Sequence, residues 1–200
     1  MPRLFTGLEI PPEIAQRLTL FRGGLPGARW IEPSDYHVTL RFLGEVDGGL
    51  AADLDAGLAE ARARAPFTVT LDGLASFGGD RPRAVYASVA LTPDLADIQE
   101  EHERIARRAG AEPERRRFTP HVTLARLNRE ADAGAVARYL GEAGVFPPLT
   151  FTATRVALYS ARTSRGGGPY RVEAAYPLWI DDASGLDNAS GLDDDEPDED

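Results

Sequence analysis

Two tetrapeptides in this chain of 200 residues are identical, and together they hold two of its three histidines. They are His37-Val38-Thr39-Leu40, after Tyr36, and His121-Val122-Thr123-Leu124, after Pro120. Successive side chains of a β-strand point to opposite faces, so His37 and Thr39 share one face while Val38 and Leu40 share the other. The second copy behaves alike. Each copy therefore reads as a strand that buries Val and Leu in a core and presents an imidazole beside a hydroxyl. Packing alone does not require a histidine and an equally spaced hydroxyl twice over. A zinc site would need a third good ligand, and threonine is a poor one, so no metal is expected.

Two imidazoles facing one another across a cleft suit the cleavage of a phosphodiester. One proton must leave the attacking oxygen and another must reach the departing oxygen. Histidine can do either near neutral pH, because its ordinary pKa is about 6.5. Thr39 and Thr123 can donate hydrogen bonds to the non-bridging phosphate oxygens, where charge gathers in the transition state. The arrangement calls for no cofactor. Which imidazole is acid and which is base cannot be read from two identical motifs.

Composition removes several other chemistries. With no cysteine there is no disulfide, thiolate nucleophile or cysteine-held metal. All 22 basic residues are arginine, which removes Schiff-base chemistry, a lysyl-nucleotide intermediate and the P-loop lysine. No apolar run approaches a membrane span and the N-terminus lacks a signal-like apolar core, so a cytoplasmic protein with no membrane partner is expected.

The net charge of −10 is unevenly spread. Residues 181–200 hold ten acidic residues and no basic one, so the other 22 acids balance the 22 arginines of 1–180. The balanced part does not repel an anionic ligand. The run DASGLD-NASGLD-DDEPDED has too little apolar surface to offset chain entropy, so 181–200 is expected to be a disordered acidic tail beyond a domain spanning 1–180.

The elements that must position the two motifs follow from patterning. Strands are expected at Leu4–Ile10, His37–Leu43, Phe67–Leu74, Ala84–Leu91, His121–Leu127, Thr150–Ser160 and Tyr170–Leu178. Helices are expected from Pro11-Pro12 to about Phe21, at Leu50–Ala65, at Asp94–Ala109 before Gly110, and at Glu130–Leu140. The last two strands form a hairpin around Arg165-Gly166-Gly167-Gly168-Pro169. This is an α+β domain with two similar halves, each carrying one motif.

At this point the chain resembles the 2H phosphoesterase superfamily, through its paired H-x-T-x motifs with LRFLGE after the first and FTP before the second. Within that superfamily it is most similar to the bacterial RNA 2′,3′-cyclic phosphodiesterases, also called 2′-5′ RNA ligases. The likeness runs through LFTGLEIPPEI, RWIEPSDYHVTLRFLGEV, PRAVYASV, FTPHVTLAR and the final hairpin, leaving the acidic tail outside. The resemblance implies two pseudo-symmetric lobes with antiparallel sheets forming a V-shaped cleft, one motif in each lobe. It implies hydrolysis of a terminal 2′,3′-cyclic phosphate on RNA to a 2′-phosphomonoester, with His121 as proton acceptor, His37 as proton donor, and Thr39 and Thr123 holding the phosphate. ATP-independent, reversible 2′-5′ ligation would use the same machinery. The implied partners are RNA 3′ ends with a cyclic phosphate, such as tRNA halves, or small nucleotides, and the chain is expected to act as a monomer.

Other residues are candidates for contact with substrate. Arg126 lies opposite His121 by strict alternation, so it reaches the phosphate only through a bulge or a strand end. Arg41 shares the His37 face by parity and is a candidate for the cleft rim. Phe42 and Tyr170, with Phe118 and Tyr86, are candidates for stacking on bases. Arg115-Arg116-Arg117 is a candidate phosphate contact, and His102, among Glu100, Glu101, Glu103 and Arg104, reads as solvated. Two further readings remain: a phosphodiesterase acting on small cyclic or 2′-5′-linked nucleotides, and a non-catalytic module that binds RNA ends.

Overall fold

The computed structural model describes residues 1–61, 64–161 and 168–179. The expected tail at 181–200 and most of the expected turn at 165–169 lie outside them. The elements are β1 (Arg3–Glu9), α1 (Pro12–Leu18), β2 (Ala28–Trp30), β3 (His37–Glu45), α2 (Gly48–Ala59), β4 (Phe67–Phe77), β5 (Ala84–Val89), α3 (Pro93–Arg108), β6 (His121–Leu127), α4 (Ala133–Glu142), β7 (Leu149–Ala153), β8 (Arg155–Ala161) and β9 (Tyr170–Pro177). Single 3-10 turns at Thr19–Phe21 and Pro33–Asp35 complete the set. No helix among the described residues is long and apolar enough to cross a membrane.

Sequence chemistry sets the helix ends. Asp47, Thr92 and Asp132 each accept a hydrogen bond from a backbone N–H of the first turn, at Leu50, Leu95 and Ala135. Such a cap is worth about 1 kcal/mol. α2 stops at Ala59, with Glu60 as its C-cap, short of the expected Ala65, and β4 starts at Phe67.

The strands run in the order β7-β4-β5-β6-β3-β1-β8-β9, with β2 added to β6, and every pairing is antiparallel. Outward from the centre, each half has a motif strand and then three partners: β3, β1, β8, β9 on one side and β6, β5, β4, β7 on the other. The halves meet at a single pair, Val38 opposite Val122. Past that point β6 pairs with β2 from Ala125 to Leu127, so the two motif strands part and leave a cleft between the halves. The expected long strand Thr150–Ser160 is broken at Thr154, with β7 serving one half and β8 the other. Its residues alternate well enough for one strand, but the two segments pair with different neighbours.

Val38, Leu40, Val122 and Leu124 are buried in the largest core cluster, with Leu8, Val69, Leu71, Ile98 and the α1 residues Ile14 and Leu18. Burying each such side chain contributes roughly 1.5–3 kcal/mol. The motif strands are thereby fixed from behind. Helix α3 covers the back of the first half through Leu95, Ile98, His102, Ile105 and Ala106, a stripe at helical spacing.

Candidate active site

In the antiparallel pairing centred on Val38 and Val122, His37 faces Thr123 and Thr39 faces His121. All four side chains lie on the face away from the core. They form a four-cornered site with the imidazoles on one diagonal and the hydroxyls on the other. Strand geometry puts the two residues of the imidazole diagonal roughly 7–8 Å apart.

Each imidazole is held in the same way. His37 Nδ1 lies 2.8 Å from the Asp35 carbonyl and His121 Nδ1 lies 2.6 Å from the Thr119 carbonyl. A carbonyl only accepts, so both Nδ1 atoms carry the proton and both Nε2 atoms offer a lone pair. The local chain explains this. The Pro33–Asp35 turn aims the Asp35 carbonyl at His37, while Pro120 keeps Thr119 extended before His121.

Two stacked aromatic rings support each imidazole. Phe5 and Tyr159, stacked at 4.8 Å, lie 4.7 and 5.4 Å from the His37 ring, and Tyr170 meets it edge-on at 5.0 Å. In the other half Phe77 and Tyr86, stacked at 4.1 Å, lie 4.8 and 5.2 Å from His121. Tyr170 is tied to the site by its backbone N–H, which donates to the Asp35 carboxylate at 3.0 Å. The chain can pass there because residue 168 is glycine: a Cβ would lie 2.0 Å from that carboxylate, and φ is +84°.

Burial lowers the His37 pKa to about 4; its hydrogen bond to Asp35 opposes this, and the charges of His121 and Arg126 add to it. His121 is lowered as well, again chiefly by burial, with Arg126 adding to the effect. Both imidazoles are therefore neutral in the free protein at pH 7. A bound phosphate would reverse the trend, because its negative charge favours the imidazolium.

A bulge in each motif strand decides the secondary candidates. In β3 the register steps from Gly7–Thr39 to Thr6–Arg41, and in β6 from Tyr86–Thr123 to Val85–Ala125. β1 skips Leu40 and β5 skips Leu124, and two consecutive side chains turn inward in each strand. Alternation is reset at that point. Arg126 consequently returns to the face of His121 and Thr123, and its charge reaches both imidazoles.

The same bulge corrects the expectation for Arg41. It is buried on the back of the sheet, 5% exposed, where it pairs with the Glu103 carboxylate and donates to the carbonyls of Phe42 and Glu112. Phe42 takes the place equivalent to Arg126 and is exposed on the motif face, with Arg3 5.5 Å from its ring centre. Gly7 lets β1 approach the bulge, since a Cβ there would lie 2.7 Å from the Val38 carbonyl.

The expectation for His102 resolves differently. His102 is 3% exposed and hydrogen-bonded to the Thr6 hydroxyl at 2.8 Å, so it is a core residue and not a solvated one. Its place in the apolar stripe Leu95-Ile98-His102-Ile105 was the available signal, hidden by charged neighbours in sequence. Phe118 packs against the main core, and Tyr86 supports His121. Arg115, Arg116 and Arg117 are exposed, with Arg116 paired to Glu114 at 2.9 Å. Sequence reasoning missed Phe5, Phe77 and Tyr159 around the imidazoles. Arg29 stands opposite Arg126 on β2. Among the described residues, no group of three or more His, Cys, Asp or Glu side chains could hold a metal ion.

Known proteins are similar to this chain in sequence and in fold. Residues 10–165 match the family described as the 2′-5′ RNA ligase superfamily. The chain is 35% identical to an RNA 2′,3′-cyclic phosphodiesterase of Aeropyrum pernix, over 74% of this chain and 84% of that protein. It is 30% identical to the Escherichia coli protein of the same name, over 84% of this chain and 92% of that one. Among solved structures, E. coli LigT complexed with 3′-AMP superposes with a TM-score of 0.70 and 25% identity, covering 89% of this chain and 99% of that one. The Thermus thermophilus protein TT0787 superposes with a TM-score of 0.70 and 26% identity, covering 88% and 97%. On its sequence match and its two-lobed antiparallel α+β fold alike, this chain belongs to the 2′-5′ RNA ligase superfamily.

Proposed function

We propose that the protein hydrolyses the 2′,3′-cyclic phosphate at an RNA 3′ end to a 2′-phosphomonoester, using the two histidines and no metal. The observation that carries this reading is the diagonal pair of imidazoles, each with Nδ1 committed to a backbone carbonyl and Nε2 left for the substrate. The relatives named as RNA 2′,3′-cyclic phosphodiesterases support the choice of substrate.

His121 Nε2 takes a proton from water as the water oxygen bonds to phosphorus. The bond from phosphorus to O3′ breaks, and His37, protonated at Nε2, gives its proton to O3′. The 2′ ester bond survives. Thr39 and Thr123 donate to the non-bridging oxygens, and Arg126 balances their charge. Each positioned proton transfer contributes about 10²–10⁴-fold. A ribose 5′-hydroxyl in place of water would give a 2′-5′ linkage by the same steps, without ATP.

The test is an assay, with EDTA present, of a short RNA ending in 2′,3′-cyclic phosphate, using wild type, His37→Ala and His121→Ala. Conversion to the 2′-phosphate by wild type, with at least a roughly hundredfold loss in both variants, is expected. Tight binding without turnover by wild type would instead support a binding module. Turnover of small cyclic nucleotides alone would move the substrate class.

A further inference from the structure

We propose that Ser88, held by Asp72, accepts the second proton of the attacking water beside His121 and so favours water over an alcohol as the nucleophile. The inference rests on the hydrolase reading above and concerns which hydroxyl the site uses against the cyclic phosphate.

The two identical motifs differ in what their outer neighbour strands place beside them. His37 is opposite Glu9 on β1, whereas His121 is opposite Ser88 on β5. Directly opposed residues of an antiparallel pair point to the same face, so Ser88 stands on the motif face beside the imidazole. The Val89 N–H donates to the Pro120 carbonyl at 3.2 Å, which makes the next pair, Ser88 with His121, a non-hydrogen-bonded one. Side chains approach most closely in such pairs, with Cβ atoms about 5 Å apart. A water molecule at His121 is therefore within reach of Ser88.

Strand β4 fixes what Ser88 does with its own proton. The register of β4 with β5 steps from Leu71–Val89 to Gly73–Ser88, so Asp72 is skipped. Leu71 is buried in the core, and the exposed Asp72 turns the other way, to the face of Ser88. The Ser88 hydroxyl donates to the Asp72 carboxylate at 2.6 Å. That bond commits the serine proton and leaves the remaining lone pairs of Oγ free to accept. Gly73 makes the room, since a Cβ there would lie 3.1 Å from Ser88 Oγ. Glu9, the matching neighbour of His37, is instead held by Arg155 in an ion pair.

In an in-line displacement the entering oxygen comes from the side opposite the departing one. With O3′ at His37, the water stands at the His121 end of the diagonal. Ser88 lies on that side, one strand farther from His37 than His121 is. The water gives one proton to His121 Nε2 as its oxygen bonds to phosphorus and the bond to O3′ breaks. Its other proton stays on that oxygen, donated to Ser88 Oγ, and leaves with the 2′-phosphomonoester. An alcohol carries a carbon group where water has this second proton. It makes no such hydrogen bond, and its carbon meets the Oγ lone pairs. The same holds for a ribose 5′-hydroxyl, so Ser88 biases the site against 2′-5′ joining.

The test supplies adenosine 2′,3′-cyclic phosphate to wild type, Ser88→Ala and Ser88→Thr at one fixed methanol concentration, with EDTA present. The 2′-phosphate and its methyl diester are then counted by mass spectrometry. Both products come from the same folded molecules, so their ratio is blind to a loss of stability. Ser88→Ala should lower the water-to-methanol product ratio about three- to tenfold, the contribution of one neutral hydrogen bond, and Ser88→Thr should restore most of it. An unchanged ratio in Ser88→Ala, whatever the loss of rate, would overturn the inference. If methanol reacts with neither protein, the hydrolysis constants decide. A fall of about three- to tenfold in the kcat of Ser88→Ala, with KM within twofold, supports the contact, and any other pattern overturns it. Failure of wild type to turn over both this nucleotide and a short RNA with the same end would sink the hydrolase reading itself, and the role of Ser88 with it.

Discussion

The two imidazoles start from an unusual condition for a pair that must exchange protons, because burial keeps both below the ordinary histidine range in the free protein. Since kcat/KM reports free-enzyme ionisations, its bell-shaped pH profile should be centred below about pH 6.5. The profile of kcat should lie at higher pH, because bound phosphate stabilises the imidazolium; both limbs belong to the coupled pair. Arg126→Ala should move the kcat/KM optimum upward, since it removes a positive charge that lowers both groups. A wild-type kcat/KM optimum above about pH 7.5 would contradict this account. At this scale the motifs were legible: His37, Thr39, His121 and Thr123 stand where period-two alternation puts them. Arg126 was undecided, because one unpaired residue reverses parity and no composition signal marks it. The supporting rings of Phe5, Phe77 and Tyr159 were invisible for another reason: they come from neighbouring strands whose pairing the sequence does not state.

The matching bulges at Leu40 and Leu124 show what an element contributes beyond its residues. Each turns two consecutive side chains inward and then returns the next side chain to the cleft. In β6 the two inward residues are Leu124 and Ala125, which simply join the core. In β3 they are Leu40 and Arg41, and the arginine has to be accommodated by Glu103 and the Glu112 carbonyl. Removing one partner of a buried ion pair leaves the other charge without compensation and costs about 3–5 kcal/mol. Arg41→Ala should therefore lower stability by that amount, seen as a reduced denaturation midpoint, while activity per folded molecule stays within a few fold. A loss of kcat/KM beyond about a hundredfold in fully folded R41A would return Arg41 to the site. Helix α3 was legible from Asp94 to its stop at Gly110, and it begins one residue earlier, at Pro93, after the Thr92 cap. The buried role of His102 needed the stripe, and the break at Thr154 needed the sheet order.

For the whole molecule, buried histidines make stability depend on pH. Burial lowers His102 to about 3, with the charge of Arg64 adding to the effect, and His37 to about 4. The unfolded chain takes up protons on these groups near pH 6.5, whereas the folded chain does not until well below that. The stabilisation is complete above the unfolded value and is lost as pH falls from about 6.5 toward 4, at up to about 1.4 kcal/mol per pH unit for each histidine. Urea midpoints should decline over that range, and His102→Gln should decline less steeply; parallel curves would exclude His102 as a source. The general α+β class and the likeness of the two halves were readable from alternating elements, but not how the chain divides between them. The second half draws its four principal strands, β4 to β7, from one continuous stretch, Phe67 to Ala153. The first half draws β1 and β3 from the beginning of the chain and β8 and β9 from near its end. During synthesis, His121 can meet its supporting rings early, whereas His37 waits for Tyr159 and Tyr170 to leave the ribosome. The nascent protein thus completes the surroundings of its proposed acid last, and a product terminated between Leu124 and Tyr159 carries both histidine motifs yet lacks two of the rings that surround His37.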